Sequence, residues 1–242
     1  MKKINRYILL VLLPLSIYSC KRDNYDAPEA TIQGAITDAN NVGLQLEQGQ
    51  GSARIKLEEV SWSNSPAPQN LNLRQDGSFI NTKLFPGKYR VSPTEGPFYP
   101  VTTDQVQTVD LVGGQAATVN FKVVPYLNVE WVSGPTVTAD KKITASFKFT
   151  RLAAPTGQTQ PAPLDYQLFI STTQYVGNNN FDNTRVGGVV TATAAMDGQT
   201  LTITSSQPMK YSSIYYIRVG VRVNDSFKKY NYTPVKTANV TL

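Results

Sequence analysis

From residue 31 onward, apolar and polar side chains alternate in short runs broken by Gly, Pro, Asn and Asp clusters. That period of two is the signature of half-buried strands. In residues 31–37, Ile32, Gly34 and Ile36 oppose Gln33 and Ala35, and Asp38-Ala39-Asn40-Asn41 ends the run as a turn. Residues 54–60 set Ile55 and Leu57 against Lys56 and Glu58, and a Ser/Asn/Pro-rich loop fills 61–68. Shorter runs follow at 71–73, 78–80 and 89–91, the last after the Pro86-Gly87 turn. Residues 106–112 and 116–124 alternate on either side of Gly113-Gly114, which predicts a hairpin. No 3.6-residue period survives in this half.

Pro125-Tyr126 reads as a joint, after which a second series begins. Seven runs are predicted: 127–132, 142–151, 165–171, 186–193, 201–205, 214–223 and 235–241. Seven short strands in a little over a hundred residues is the count of an immunoglobulin-like sandwich. A Pro/Gln/Thr-rich loop occupies 153–163, and a short helix or irregular turn is expected around 175–183. The expected fold class is therefore all-β, two tandem sandwiches over residues 31–125 and 126–242.

The first twenty residues carry a different pattern. Lys2, Lys3 and Arg6 precede the apolar run 8–15, and Ser19-Cys20 follows closely. The run is too short to span a bilayer and reads as a secretory signal over residues 1–19. The chain's single cysteine behind a small residue looks like a lipobox, with Cys20 lipidated. Residues 20–30 then read as a polar tether. Several acyl chains hold far more firmly than one, since each buried methylene adds about 0.8 kcal/mol.

Composition narrows the chemistry. The 242 residues include no histidine and one cysteine. That removes Ser-His-Asp triads, Cys-His dyads, His-ligated metal sites and intrachain disulfides. The whole-chain charge of +6 falls to +3 once the three basic residues of the signal are set aside. The remaining cations are scattered, and Lys141-Lys142 and Lys228-Lys229 fall in expected turns. No basic stripe interleaved with aromatics argues for nucleic acid.

Two segments resemble known modules. Asp76-Gly77-Ser78-Phe79 followed by Leu84-Phe85-Pro86-Gly87-Lys88-Tyr89 resembles the prealbumin-like, or carboxypeptidase-regulatory-like, sandwich. Residues 209–219 resemble the corner and following strand of a fibronectin III-like domain, with Tyr215 as the corner tyrosine. The whole order of lipobox, 24–28, the first domain ending at 123–127, and Gly177-Asn178-Asn179-Asn180-Phe181-Asp182 is similar to the domain-of-unknown-function 3823 lipoproteins of Bacteroidetes. That resemblance implies an outer-membrane lipoprotein, displayed at the cell surface and encoded with SusC-like transporters and SusD-like glycan-binding lipoproteins. It implies no catalytic residues and no cofactor. The export signal of such proteins, a lysine followed by acids, is matched only in part by Lys21-Arg22-Asp23.

A glycosidase would need two facing carboxylates. Glu58 and Glu59 are adjacent on a predicted strand and point to opposite faces. The aspartates sit mostly in turns, and no catalytic set emerges. The Asn-rich run 178–183 carries one acid, Asp182, and reads as a tight loop rather than a calcium site; no metal ligands are assigned. The candidate ligand-binding residues are aromatics and their neighbours, because aromatic faces with polar tips suit sugar rings. They are Trp62, Phe98, Tyr99, Tyr175 and Phe181 in loops, and Tyr216, Arg218 and Arg222 on the outer face of strand 214–223. For that strand face the alternatives are a solvated surface or a contact with the neighbouring domain. Phe98 and Tyr99 can equally plug the first sandwich, and Trp131 is expected in the core. The expected task is accessory glycan binding; the alternative is a subunit that docks on a SusC/SusD-like complex without binding sugar.

Overall fold

The structure, a computed structural model, describes residues 27–49 and 51–242; the signal and lipobox, including Cys20, lie outside the described residues. Two β-sandwiches follow one another. In the first, β1 (Ala30–Thr37) is flanked by antiparallel β4 (Ser78–Leu84) and by β7 (Ala116–Thr118) and β8 (Phe121–Lys122), both parallel to it. The facing sheet runs β3 (Gln69–Asn72), β2 (Arg54–Glu59), β5 (Gly87–Thr94), β6 (Gln107–Leu111), all antiparallel. Ile32, Ile36, Ile55, Leu57, Phe79, Leu84, Tyr89 and Val91 fill the space between them, as the alternation requires.

Gly113-Gly114 does not make the expected hairpin. β6 pairs with β5 and β7 with β1, so the turn carries the chain from one sheet to the other. Gly114, with φ of 71°, donates its N–H to the Glu29 carbonyl. The backbone edge of β1 thus captures the chain beyond the turn, which alternation alone cannot reveal. Run 116–124 is also interrupted: Val119 reaches Gln33 and the Asn120 amide oxygen accepts the Ala35 N–H.

In the second sandwich, β9 (Leu127–Val137), β10 (Ile143–Arg151) and β13 (Leu201–Thr204) form one sheet. The other runs β12 (Val190–Thr191), β11 (Pro163–Ser171), β14 (Ser213–Val223), with β15 (Tyr230–Tyr232) and β16 (Lys236–Val240) on the far edge of β14. Tyr215, Ile217, Val219 and Val221 point into the core with Phe147, Phe149 and Leu168. The Tyr215 hydroxyl donates to the Tyr211 carbonyl and accepts the Tyr211 N–H, the expected tyrosine corner. Run 186–193 shrinks to two exposed strand residues, because β11 pairs with it only at Asp165 and Tyr166. Trp131 is half-buried at the flank of this core, its indole N–H donating to the Pro234 carbonyl. β15 was not expected: Tyr-Asn-Tyr is short and polar at its centre. Lys141 and Lys228 occupy left-handed turn positions.

β1 sets the direction of the first sandwich. Its start, the β4–β5 turn, the β6–β7 turn and the loop after β2 gather at one end. The loop after β1, the turn between β3 and β4 and the joint to the second sandwich gather at the other.

Candidate functional site

Adjacent residues in extended backbone point opposite ways, and Phe98 and Tyr99 use this at the joint. Phe98 enters the first core and Tyr99 the second. Tyr99 stacks edge to face on Tyr126, with centroids 4.7 Å apart, and its hydroxyl donates to the Leu152 carbonyl at 2.9 Å. Both candidates are buried plugs, one for each sandwich, and present no face to a ligand.

The outer face of β14 points where alternation puts it, but it is covered. Arg218 is 0% exposed. Its Nε donates to the Thr233 carbonyl at 2.9 Å, and Nη1 donates to the Leu46 carbonyl of the first sandwich at 2.6 Å. The guanidinium lies 4.3 Å from the Tyr232 ring centroid. Burial pulls this group down to about 10, so it stays protonated at neutral pH. Beside it, the Tyr232 hydroxyl donates to Glu47 Oε2 at 3.0 Å and accepts the Asn178 N–H at 3.1 Å. Burial, above all, raises the Glu47 carboxyl and lifts the Tyr232 phenol well above its ordinary value. Arg218 is therefore an interdomain pin and not a ligand contact. The sequence admitted a domain contact here, but not the segment supplying it, because residues 44–48 carry no motif.

Arg222 is also engaged. It grips Asp165 with two bonds, at 2.8 and 2.9 Å, and lies over Tyr230. Phe181 is half-buried and meets Phe169 edge to face. Gly220 lies beneath Phe169, Tyr230 and Tyr232; a Cβ there would come within 2.9 Å of all three rings. The expected turn at 175–183 folds over this aromatic layer. Its amides are used as donors, Asn179 to the Gln48 carbonyl and Asn180 to Thr173 Oγ1 and the Tyr175 carbonyl. Asp182 accepts from Thr184, so this run closes on itself. Among the described residues no group of three His, Cys, Asp or Glu side chains is placed to hold a metal.

Two candidates do meet. Tyr175, 47% exposed, and the half-buried Tyr216 line an open groove of about 710 Å³ between the sandwiches. Gln174, Val235 and Thr237 complete its wall on the second sandwich. The first sandwich contributes Gln45, Gln48, Arg74, Gln75 and Asp76 from the loop after β1 and the β3–β4 turn. Gly77, at φ of 81°, shapes that turn. Gln48 accepts the Gln75 N–H, and the Gln75 amide donates to the Val176 carbonyl, tying the groove floor across the joint. Among the described residues, no hydrogen bond engages the opposite end of either amide. Hydrogen bonds from Ser78, chiefly from its hydroxyl, hold the Asp76 carboxyl below its ordinary value, so it remains an acceptor. The groove thus offers two aromatic rings, several amides, one cation and one carboxylate. None of its first-sandwich residues is a ligand-binding candidate in the sequence, where Asp76 stands out only as part of a turn motif; scattered glutamines in loops carry no signal until the fold gathers them. Trp62, 84% exposed, is at the opposite end of the first sandwich and takes no part.

A fold of this order defines a family. The DUF3823 N-terminal domain, described as a protein of unknown function, matches residues 30–124, and the domain of unknown function DUF3823_C matches residues 134–237. The chain belongs to the DUF3823 family. Among solved structures, a DUF3823 family protein from Bacteroides uniformis superposes with a TM-score of 0.76 at 24% identity, over 88% of this chain and 100% of its own. One from Parabacteroides merdae gives 0.68 at 24%, with the same coverage. A third, from Bacteroides uniformis and described as a "putative carbohydrate binding protein", gives 0.67 at 25% identity, also over 88% and 100%. No curated protein matches the chain.

Proposed function

We propose that this protein is a non-catalytic, lipid-anchored carbohydrate-binding component of a polysaccharide-uptake system at the outer membrane. The observation that carries the reading is the interdomain groove, where Tyr175 and Tyr216 share a wall opposite an amide-rich rim. Sugar rings present apolar C–H faces and a girdle of hydroxyls. Tyrosine faces suit the former, and amides, guanidinium and carboxylate suit the latter. The relative described as a carbohydrate binding protein supports the same class of ligand. The groove lining carries one carboxylate, Asp76, where glycoside hydrolysis needs two. Glu47, beneath the groove, is buried and committed to Tyr232. Anchoring through Cys20 rests on the N-terminal sequence, and surface display on the family resemblance.

Affinity electrophoresis of the chain from Lys21, against plant, fungal and host polysaccharides, tests the reading. Retardation by one glycan is expected. Tyr175→Ala or Tyr216→Ala should each weaken it by about tenfold, or about 1.4 kcal/mol, and Trp62→Ala should leave it unchanged. No retardation across the panel would overturn glycan binding and favour docking on a SusC/SusD-like complex.

A further inference from the structure

The end of the first sandwich remote from the groove carries three exposed apolar side chains from three separate turns. They are Trp62 at 84%, Phe85 at 51% and Val112 at 50%. Hydrogen bonds and strand pairing place those turns together. The Lys88 N–H bonds Ser61 Oγ at 2.8 Å, the Tyr89 hydroxyl bonds the Phe85 carbonyl at 3.0 Å, and Gly87 pairs with Leu111. A Cβ on Gly113 would lie 3.5 Å from the Pro86 ring. The loop 61–68, Ser-Trp-Ser-Asn-Ser-Pro-Ala-Pro, carries no charge. A solvent-facing indole on an uncharged loop, beside an exposed Phe and Val, contributes nothing to either core.

The same end receives the N-terminal segment. Gly114 donates to the Glu29 carbonyl and Thr31 to the Gln115 carbonyl, so β1 begins beside the Val112 turn. From Cys20 to Glu29 the chain can span at most roughly 30 Å. A lipid on Cys20 would therefore attach the chain at this end, with the groove at the opposite end of the first sandwich. Tryptophan with neighbouring apolar side chains is the composition that settles at a membrane–water interface.

We propose that this tip is a membrane foot. Trp62, Phe85 and Val112 enter the lipid interface, and the first sandwich acts as a rigid stalk. The eight residues of β1 then hold the groove about 26 Å further from the bilayer. The proposal rests on the lipid-anchor reading, and its test separates the two.

The full chain, purified from membranes, is reconstituted into phosphatidylcholine vesicles with plain or brominated acyl chains. Flotation reports the anchor; tryptophan quenching reports the tip. The chain holds two tryptophans, Trp62 and Trp131, so the difference between the natural chain and Trp62→Phe isolates Trp62. With Trp62 inserted to roughly 5–10 Å, the natural chain should lose a large fraction of its emission to bromine, and Trp62→Phe should lose little. A chain that floats but is quenched equally little with and without Trp62 overturns the foot and leaves the anchor standing. A chain that does not float overturns both. A Trp62 shielded from water yet unquenched, in a vesicle-bound dimer, would assign the tip to a second copy and overturn the proposal.

Discussion

Gly220 illustrates how one residue can be decided from both sides. Its strand neighbours Val219 and Val221 are core residues, and its own missing side chain lets Phe169, Tyr230 and Tyr232 close over β14. Adding a methyl group beneath three packed rings is overpacking, which costs about 1–3 kcal/mol. Gly220→Ala should lower stability by that amount in chemical denaturation. It should also disturb the near-ultraviolet signal of the tyrosines, because the aromatic layer must shift. Alternation alone does not reveal this: a glycine in an alternating strand reads equally well as a weak point or as a close approach. Trp62 and Tyr216 teach the same lesson in reverse. Both were legible as unusual aromatics, but which belongs to a binding groove depended on distances along two different strands.

At the scale of the element, β14 is the spine of the second sandwich. One face was readable from alternation and is buried as expected, tyrosine corner included. The other face contains Tyr216, Arg218 and Arg222, and each has a different environment: groove wall, interdomain pin and ion pair. Alternation reports which residues share a face; it does not report what lies against that face. Arg218 is the clearest consequence. Arg218→Met removes the donors to the Leu46 and Thr233 carbonyls and the cation that lies over the Tyr232 ring. Leaving each of these buried acceptors unpaired costs about 1–3 kcal/mol. The expected result is a large loss of unfolding free energy, with earlier proteolysis near residues 44–49. A loss within about 0.5 kcal/mol, typical of a surface position, would show that the pin is not structural.

For the whole molecule, the joint is a built interface and not a flexible linker. Besides Arg218, the Asn231 amide donates to the Pro97 carbonyl and the Gln158 amide to the Pro100 carbonyl. Glu47 makes this interface sensitive to pH. Its carboxyl is raised in the folded protein, chiefly by burial, so folding favours the protonated form. The stability this group contributes is complete below its ordinary value and is lost as pH rises through its folded value. Glu47→Gln should remove that component. The difference in unfolding free energy between the natural chain and Glu47→Gln should change across the weakly acidic range, with the natural chain losing ground as pH rises. A difference independent of pH there would contradict a raised Glu47. Asp76 contributes in the opposite sense, because its lowered carboxyl adds stability that is lost on acidification.

The sequence by itself determined the local order. It set the alternating strands, the turns at Asp38, Gly77 and Pro86, and the inward face of β14, because those depend on side-chain period and backbone preference within a few residues. It also carried the family resemblance, in the order of its segments along the chain and not in either short motif alone. Only the tertiary structure decided that Gly113-Gly114 changes sheets, that residues 230–232 form a strand, and that Arg218 crosses between domains. It also decided that Gln45, Gln48, Arg74 and Asp76 share a groove with Tyr175 and Tyr216. Each of these is a contact between segments far apart in the chain. Whether a polar side chain is solvated, paired or pinned depends on the surface brought against it, and no period along a single strand encodes that surface.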